Sequence, residues 1–418
     1  MIRFLVCLTC CWLVGCQSFT LQAPQLQPKP RLRLSPEVQK RLRWVYPSLV
    51  QQSGVEPADS RLGRITSAPV LGRNTLYVTT LDGKLHAFNF SGKKLWSYRD
   101  ESNPNDIVVA PPVVLFDDSI LFGTKNFLLY QVSRLGKVLW KELVGGSVLT
   151  SPLTTETRLF VPISAKGWLA ALSPKGKRLW HYDIGGGQEK QPMPTPALGL
   201  KGVLYLATYT GYLHAISLKD RKGIWKQKLC DRISAPPTLT TSGRVVLSCW
   251  HRQKAEQPWK GQVVMYDPQK RVILWKLQTQ GPNLARPVLS DDEATVYVGS
   301  DDTYLYAIRT QSGKLRWKFK SGEYERTKKG KKKGSFASQP VPGTSVYFSS
   351  SPCLDRKGRI YINGVNSHLY ALSPQGKLLW QADLGDVLWS SPTYRIDPKT
   401  KRGVLFVSAG RRLFAFNL

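Results

Sequence analysis

The stretch that decides the fold runs from Ser67 to Trp96. Ser67-Ala68-Pro69 opens it. The alternating run Leu76-Tyr77-Val78-Thr79 follows, then a tight turn at Asp82-Gly83 and a second run, Leu85-His86-Ala87-Phe88. A glycine turn, Ser91-Gly92-Lys93, leads into a last short run that ends on Trp96. Period-two alternation marks strands with one face buried, and Asp-Gly between two such runs marks a hairpin.

The same sentence recurs along the chain. Aligned on its last residue, it gives Trp44, Trp96, Trp140, Trp180, Trp225, Trp275, Trp317 and Trp380. The opening proline recurs in Ser151-Pro152, Ser234-Ala235-Pro236-Pro237 and Ser351-Pro352. The inner run recurs in Leu204-Tyr205-Leu206-Ala207 and Val296-Tyr297-Val298-Gly299. The Leu-x-Ala run recurs in Leu213-His214-Ala215-Ile216, Leu305-Tyr306-Ala307-Ile308 and Leu369-Tyr370-Ala371-Leu372. Four strands in a unit of 40 to 50 residues is the spacing of a propeller blade. Residues 41–418 divide into eight units of about 47 residues. The chain stops at Leu413-Phe414-Ala415-Phe416, a third strand with no tryptophan strand after it. Leu42-Arg43-Trp44-Val45-Tyr46 is a tryptophan strand with nothing before it. The expectation is therefore an all-β, eight-bladed propeller whose N-terminal strand completes the last blade and removes an open sheet edge.

The tryptophans then have a packing role, set against small residues such as Ala87, Ala171, Ala215, Ala307, Ala371 and Ala415 and the turn glycines. Two blades break the pattern, with Gln131 in place of alanine and Val264-Met265-Tyr266 in the fifth unit, so Trp140 and Trp275 are expected to pack differently.

The other end of the chain reads as a leader. Residues 1–15 carry one charge, Arg3, and an apolar run from Phe4 to Val14 that ends in Leu13-Val14-Gly15-Cys16. That predicts a lipoprotein signal peptide with lipidation at Cys16. Gln17 follows the cysteine and points to the outer membrane by the enterobacterial sorting pattern. Residues 16–40, with Pro24, Pro28, Pro30 and Pro36, read as a tether, and 41–418 as the propeller. Beyond the leader the cysteines are Cys16, Cys230, Cys249 and Cys353. Cys230 and Cys249 form either one disulfide or none.

The motif Tyr-Val-x-Thr-x-Asp-Gly-x-Leu-x-Ala followed by Gly-Lys-x-x-Trp resembles the pyrroloquinoline-quinone-type (PQQ-type) β-propeller repeat. With the leader, the chain resembles the BamB family of outer-membrane assembly lipoproteins. The resemblance implies a non-catalytic, lipid-anchored scaffold on the periplasmic face of the outer membrane. Its partners would be a BamA-type barrel-assembly subunit and nascent outer-membrane proteins. It assigns no contact residues.

Two alternatives follow from the residues. The repeat also serves PQQ-dependent oxidoreductases, which need a calcium site, a carboxylate base and, in alcohol-oxidising members, adjacent cysteines. The one Cys-Cys pair, Cys10-Cys11, lies in the leader. Acidic residues sit in turns, with Asp301-Asp302 the best cation candidate against a plainer reading as a hairpin turn. His86 and His214 share one strand position that Tyr130, Tyr306, Tyr370 and Phe414 hold elsewhere, a packing slot. No catalytic, cofactor-binding or metal residue is assigned, and no cofactor is expected.

The second alternative is an anionic-glycan or envelope-surface binder. The chain of 418 residues carries 60 Lys+Arg against 28 Asp+Glu, a net charge of +32. Two insertions break the repeat. One runs from Cys249 to Gln262 and holds Trp250, His251, Arg252, Trp259 and Lys260. The other runs from about Ser321 to Ser345 and holds Arg326, Lys328, Lys329, Lys331, Lys332 and Lys333. Both should emerge on one face of the ring, as candidate partner-binding loops for an acidic protein, anionic lipid or glycan. The bland reading is a solvated basic loop and a self-packed aromatic one. No nucleic acid is expected as partner.

Overall fold

The computed structural model describes residues 34–47, 62–164, 166–185, 193–252, 257–321, 350–364 and 366–418. These form eight antiparallel sheets of the same build. Each has a short innermost strand, two buried middle strands and an outer strand that carries the tryptophan. In blade 1 these are Val70–Leu71, Thr75–Thr79, Leu85–Asn89 and Lys94–Tyr98. The middle strands alternate Leu, Tyr, Val and Ala with almost no exposure, because both faces pack on neighbouring blades. Tyr77, Leu85 and Ala87 of blade 1 share one apolar cluster with Phe122, Tyr130 and Val132 of blade 2. Among the described residues, blade 5 alone carries an extra short strand, Arg232–Ile233, beside its second strand, Val245–His251.

The ring closes as expected. Leu42–Tyr46 pairs antiparallel with the last strand, Arg412–Asn417, with Trp44 opposite Ala415 and Val45 opposite Phe414. Residues 36–40, read from sequence as the end of the tether, form a helix that ends at Arg41. Ser35 caps it, Pro36 fills its first turn, and Glu37 pairs with Arg41 at 3.2 Å. Val38 is buried in the same cluster as Trp380, Leu384 and Phe414.

Five of the eight tryptophans pack on a neighbour's turn glycine, as expected, but the alanines play a different part from the one expected. The alanine is the cross-strand partner within the blade, as Ala87 is for Trp96. The neighbour contributes the glycine of its outer turn. Trp44 rests on Gly92, Trp96 on Gly136, Trp140 on Gly176, Trp275 on Gly313 and Trp317 on Gly376, where an added Cβ would lie within 3 Å of the ring. Each of these indoles also donates its N–H to a carbonyl of the same turn: Phe90, Arg134, Pro174, Thr310 and Pro374. Trp140 and Trp275 therefore pack in the ordinary way. The exceptions are Trp180, Trp225 and Trp380. For Trp225 the receiving turn holds Arg271 in the left-handed region, φ 55°, with its guanidinium 5.8 Å from the ring centroid, and the turn that faces Trp180 holds Arg221 at φ 59° in place of the glycine. For Trp380 the neighbouring blade has no such turn, and Arg41 of the N-terminal helix covers the ring instead. What decides a tryptophan's packing is the receiving turn, not the residue opposite it.

Candidate functional site

The turns between second and third strands and the blade-to-blade connections share one face of the ring. Gly83 abuts the backbone of Asp106, Gly211 that of Cys230, and Gly281 that of Asp301 and Asp302. The insertion of blade 5 rises from this face. Its strands, Val245–His251 and Lys260–Asp267, are longer than their counterparts in blades 1–4, 6 and 7, and stay paired to the His251–Lys260 rung.

At that end the side chains gather into one cluster. Arg232, from the extra strand, lies 4.6 Å from the ring centroid of Tyr209 and 4.6 Å from that of Trp259. It also donates a hydrogen bond to the Tyr209 hydroxyl. Arg252 lies 4.6 Å from the same Trp259 ring. Trp250 meets Trp259 edge-on at 6.1 Å and Tyr209 edge-on at 6.0 Å. Its indole N–H donates to the Asn283 carbonyl on the next connection, at 3.1 Å. The Asp231 carboxylate accepts the Arg252 backbone N–H at 3.2 Å. Cys230 and Cys249 are joined by a disulfide that ties the connection to the second strand. A guanidinium stacked on aromatic rings gains about 1 kcal/mol per contact. It also gives up little further freedom when its in-plane N–H groups meet a carboxylate or phosphate. Stacked guanidinium groups of this kind have the chemistry that suits a planar anionic group.

Of the residues singled out from sequence, Trp250, His251, Arg252, Trp259 and Lys260 fall at this corner. His251 and Lys260 form the last ladder rung. Arg326, Lys328, Lys329, Lys331, Lys332, Lys333 and Cys16 lie outside the described residues. Tyr209 and Arg232 were missed. They lie 23 residues apart, in a turn of blade 4 and a connection, and only the ring brings them to Trp259. A signal was present in Cys230, whose pairing with Cys249 would have placed Arg232 beside Trp250.

The other sequence candidates are structural. His86 is buried and bonds Thr80 and Ser97, and His214 is buried against the Tyr182 hydroxyl at 3.1 Å. Burial, then the charge of Lys226, pushes the His214 ring down to about 4. Asp302 accepts from the Gln280 N–H, the Tyr304 N–H and the Tyr306 hydroxyl, as a turn residue does. Asp301 is pushed up to about 8 by burial and then by Asp302. Among the described residues no group of three or more His, Cys, Asp or Glu is arranged to hold a metal.

Comparison with known proteins agrees with this architecture. The family model described as outer membrane protein assembly factor BamB matches residues 165–353, from the third blade to the seventh. Over that segment the chain resembles the PQQ-type β-propeller repeat. It resembles BamB, and the repeat architecture extends beyond the matched segment to all eight sheets. The crystal structure of BamB from Moraxella catarrhalis aligns with a TM-score of 0.62, covering 86% of this chain and 95% of that chain. At 13% identity the likeness is one of fold. The computationally designed protein Ika8 aligns equally well, with a TM-score of 0.62, 12% identity, and 85% and 97% of the two chains covered. Protein Rv3035 of Mycobacterium tuberculosis is 35% identical over 89 residues. That match spans about a fifth of each chain.

Proposed function

We propose that this propeller is a non-catalytic scaffold that supports the insertion of outer-membrane β-barrel proteins. It would be held by lipidated Cys16 on the periplasmic face of the outer membrane, with residues 1–15 removed and 16–40 acting largely as tether. Its partner would be a BamA-type barrel-assembly subunit, with nascent barrel proteins as possible clients. The observation that carries the reading is the PQQ-type ring itself, matched by the BamB family model over residues 165–353. The docking corner would be the blade 5 cluster of Tyr209, Arg232, Trp250, Arg252 and Trp259, joined by Lys260 and the basic run 326–333. Rigid aromatic and arginine anchors of this kind are what dominate protein interfaces.

A second reading, an anionic-glycan or envelope-surface binder, is favoured by the +32 charge and by the same arginine–tryptophan stack. One experiment separates them. The full lipidated protein is used to capture partners from detergent-solubilised envelopes, with mass spectrometry as readout. Stoichiometric recovery of a BamA-type subunit, lost when Trp259→Ala and Arg232→Ala are combined, supports the scaffold. Recovery of lipopolysaccharide or glycan without that subunit supports the second reading and removes the first.

A further inference from the structure

The innermost strands of the eight blades surround the axis, where a propeller leaves a central channel. A proline immediately precedes each of them, and the residue just before that proline is half-exposed in seven blades. These residues are Ala, Pro, Ser or Thr, and they knit neighbouring blades together. The Ser151 hydroxyl donates to the Pro111 carbonyl at 2.8 Å, and the Thr195 hydroxyl to the Ser151 carbonyl at 2.7 Å. Blade 6 departs from the rule, with Arg286 before Pro287.

Arg286 is held at its base and open at its tip. Its backbone N–H donates to Ser351 Oγ at 3.1 Å, and its Nε to Thr238 Oγ1 at 3.0 Å. Among the described residues no carboxylate pairs with it. The side chain is exposed to solvent, yet burial by the surrounding blades pulls its guanidinium below the usual arginine value. Its partners are Thr238 in the innermost strand of blade 5 and Ser351 just before that of blade 7, so the residue stands on the wall around the axis. The nearby hydroxyls are left in a matching state. Ser351 Oγ accepts from Arg286, and Ser391 Oγ accepts from the Ser351 N–H at 2.9 Å. Each has therefore filled an acceptor position, and neither hydroxyl hydrogen has a protein acceptor among the described residues. A cation with free in-plane donors, beside two hydroxyls with hydrogens to give, is a donor set in want of an oxyanion.

We propose that the axial channel carries an oxyanion site at Arg286, where the guanidinium and the hydroxyls of Ser351 and Ser391 hold a phosphate or carboxylate group. The site is independent of the blade 5 cluster and does not rest on the assembly reading. Thermal unfolding of the full protein is followed in rising inorganic phosphate, and separately in acetate, against chloride at equal ionic strength. A saturable rise in Tm is expected for at least one of the two anions, and which one it is names the group recognised. The same curve is expected in Lys314→Gln, which removes an exposed charge elsewhere, and one at least about tenfold weaker in Arg286→Gln. No saturable rise over chloride, or an unchanged curve in Arg286→Gln, overturns the proposal. If Arg286→Gln does not fold, the unaltered protein is treated with an arginine-specific dicarbonyl and mapped by mass spectrometry. Protection of Arg286 by the anion, with exposed Arg316 unprotected, supports the site, and equal rates at both overturn it.

Discussion

The guanidinium of Arg41 lies 5.5 Å from the ring centroid of Trp380. In five blades the equivalent ring rests on a neighbour's turn glycine. Here the neighbour is the closing blade, made of both chain ends, and the N-terminal helix covers the ring in place of a turn. The helix is thereby part of the closure. Replacing Val38 and Arg41 together with Ala should lower stability by about 2 kcal/mol, from lost burial and a lost cation–π contact. The urea midpoint is the readout. An unchanged midpoint would mean that the helix is an idle end of the tether.

The tryptophan seats predict a graded cost of adding a methyl group. Gly136 and Gly385 both hold positive φ, 83° and 72°. A Cβ on Gly136 would lie 2.9 Å from the Trp96 ring, whereas one on Gly385 meets nothing within 4 Å. Gly385→Ala should therefore cost only the backbone penalty, about 1 kcal/mol. Gly136→Ala should cost about 1–3 kcal/mol more, from overpacking. Equal losses in chemical denaturation would refute the seat.

The Cys230–Cys249 disulfide closes a segment with a sequence separation of 19 and braces the strand that bears Trp250. Removing it by the double change Cys230→Ser, Cys249→Ser should cost about 3 kcal/mol. It should also shift tryptophan emission to the red as Trp250 and Trp259 loosen. Cys353 is a different case, since burial pushes its thiol up to about 11. In the native protein at pH 8 it should react far more slowly with a thiol reagent than after unfolding, and fast labelling in both states would contradict this.

Asp301 makes stability depend on pH. Burial and then Asp302 raise its carboxyl to about 8, above the unfolded value near 3.8. Between those values the folded chain keeps a proton that the unfolded chain has lost, so stability from this group falls as pH rises from about 4 to 8. Its Oδ1 is also buried with no hydrogen-bond partner among the described residues. Asp301→Asn should remove that slope and gain about 1 kcal/mol or more at pH 8, with little change at pH 4. A parallel pair of pH–stability curves would rule this out.

Much of this molecule was legible in its residues. The period of two, the hairpin turns and the recurring Trp define strands and their number, because these signals are local and act within one blade. The orphan strand Leu42–Tyr46 and the orphan end at Phe416 predicted closure, because an unpaired edge has one remedy in a ring. Contacts between blades were decided elsewhere. Whether Trp140 or Trp180 finds a seat depends on the next blade's turn, where one left-handed residue is glycine or arginine. Tyr209, Arg232 and Trp259 are distant in sequence, and Arg286 joins Ser351 across 65 residues of chain. The blade and the number of blades are readable from residue order alone, since hydrogen-bond ladders and side-chain alternation are written in near neighbours. Which side chains meet between blades and around the axis emerges in the folded ring, because ring curvature, and not spacing along the chain, sets those distances.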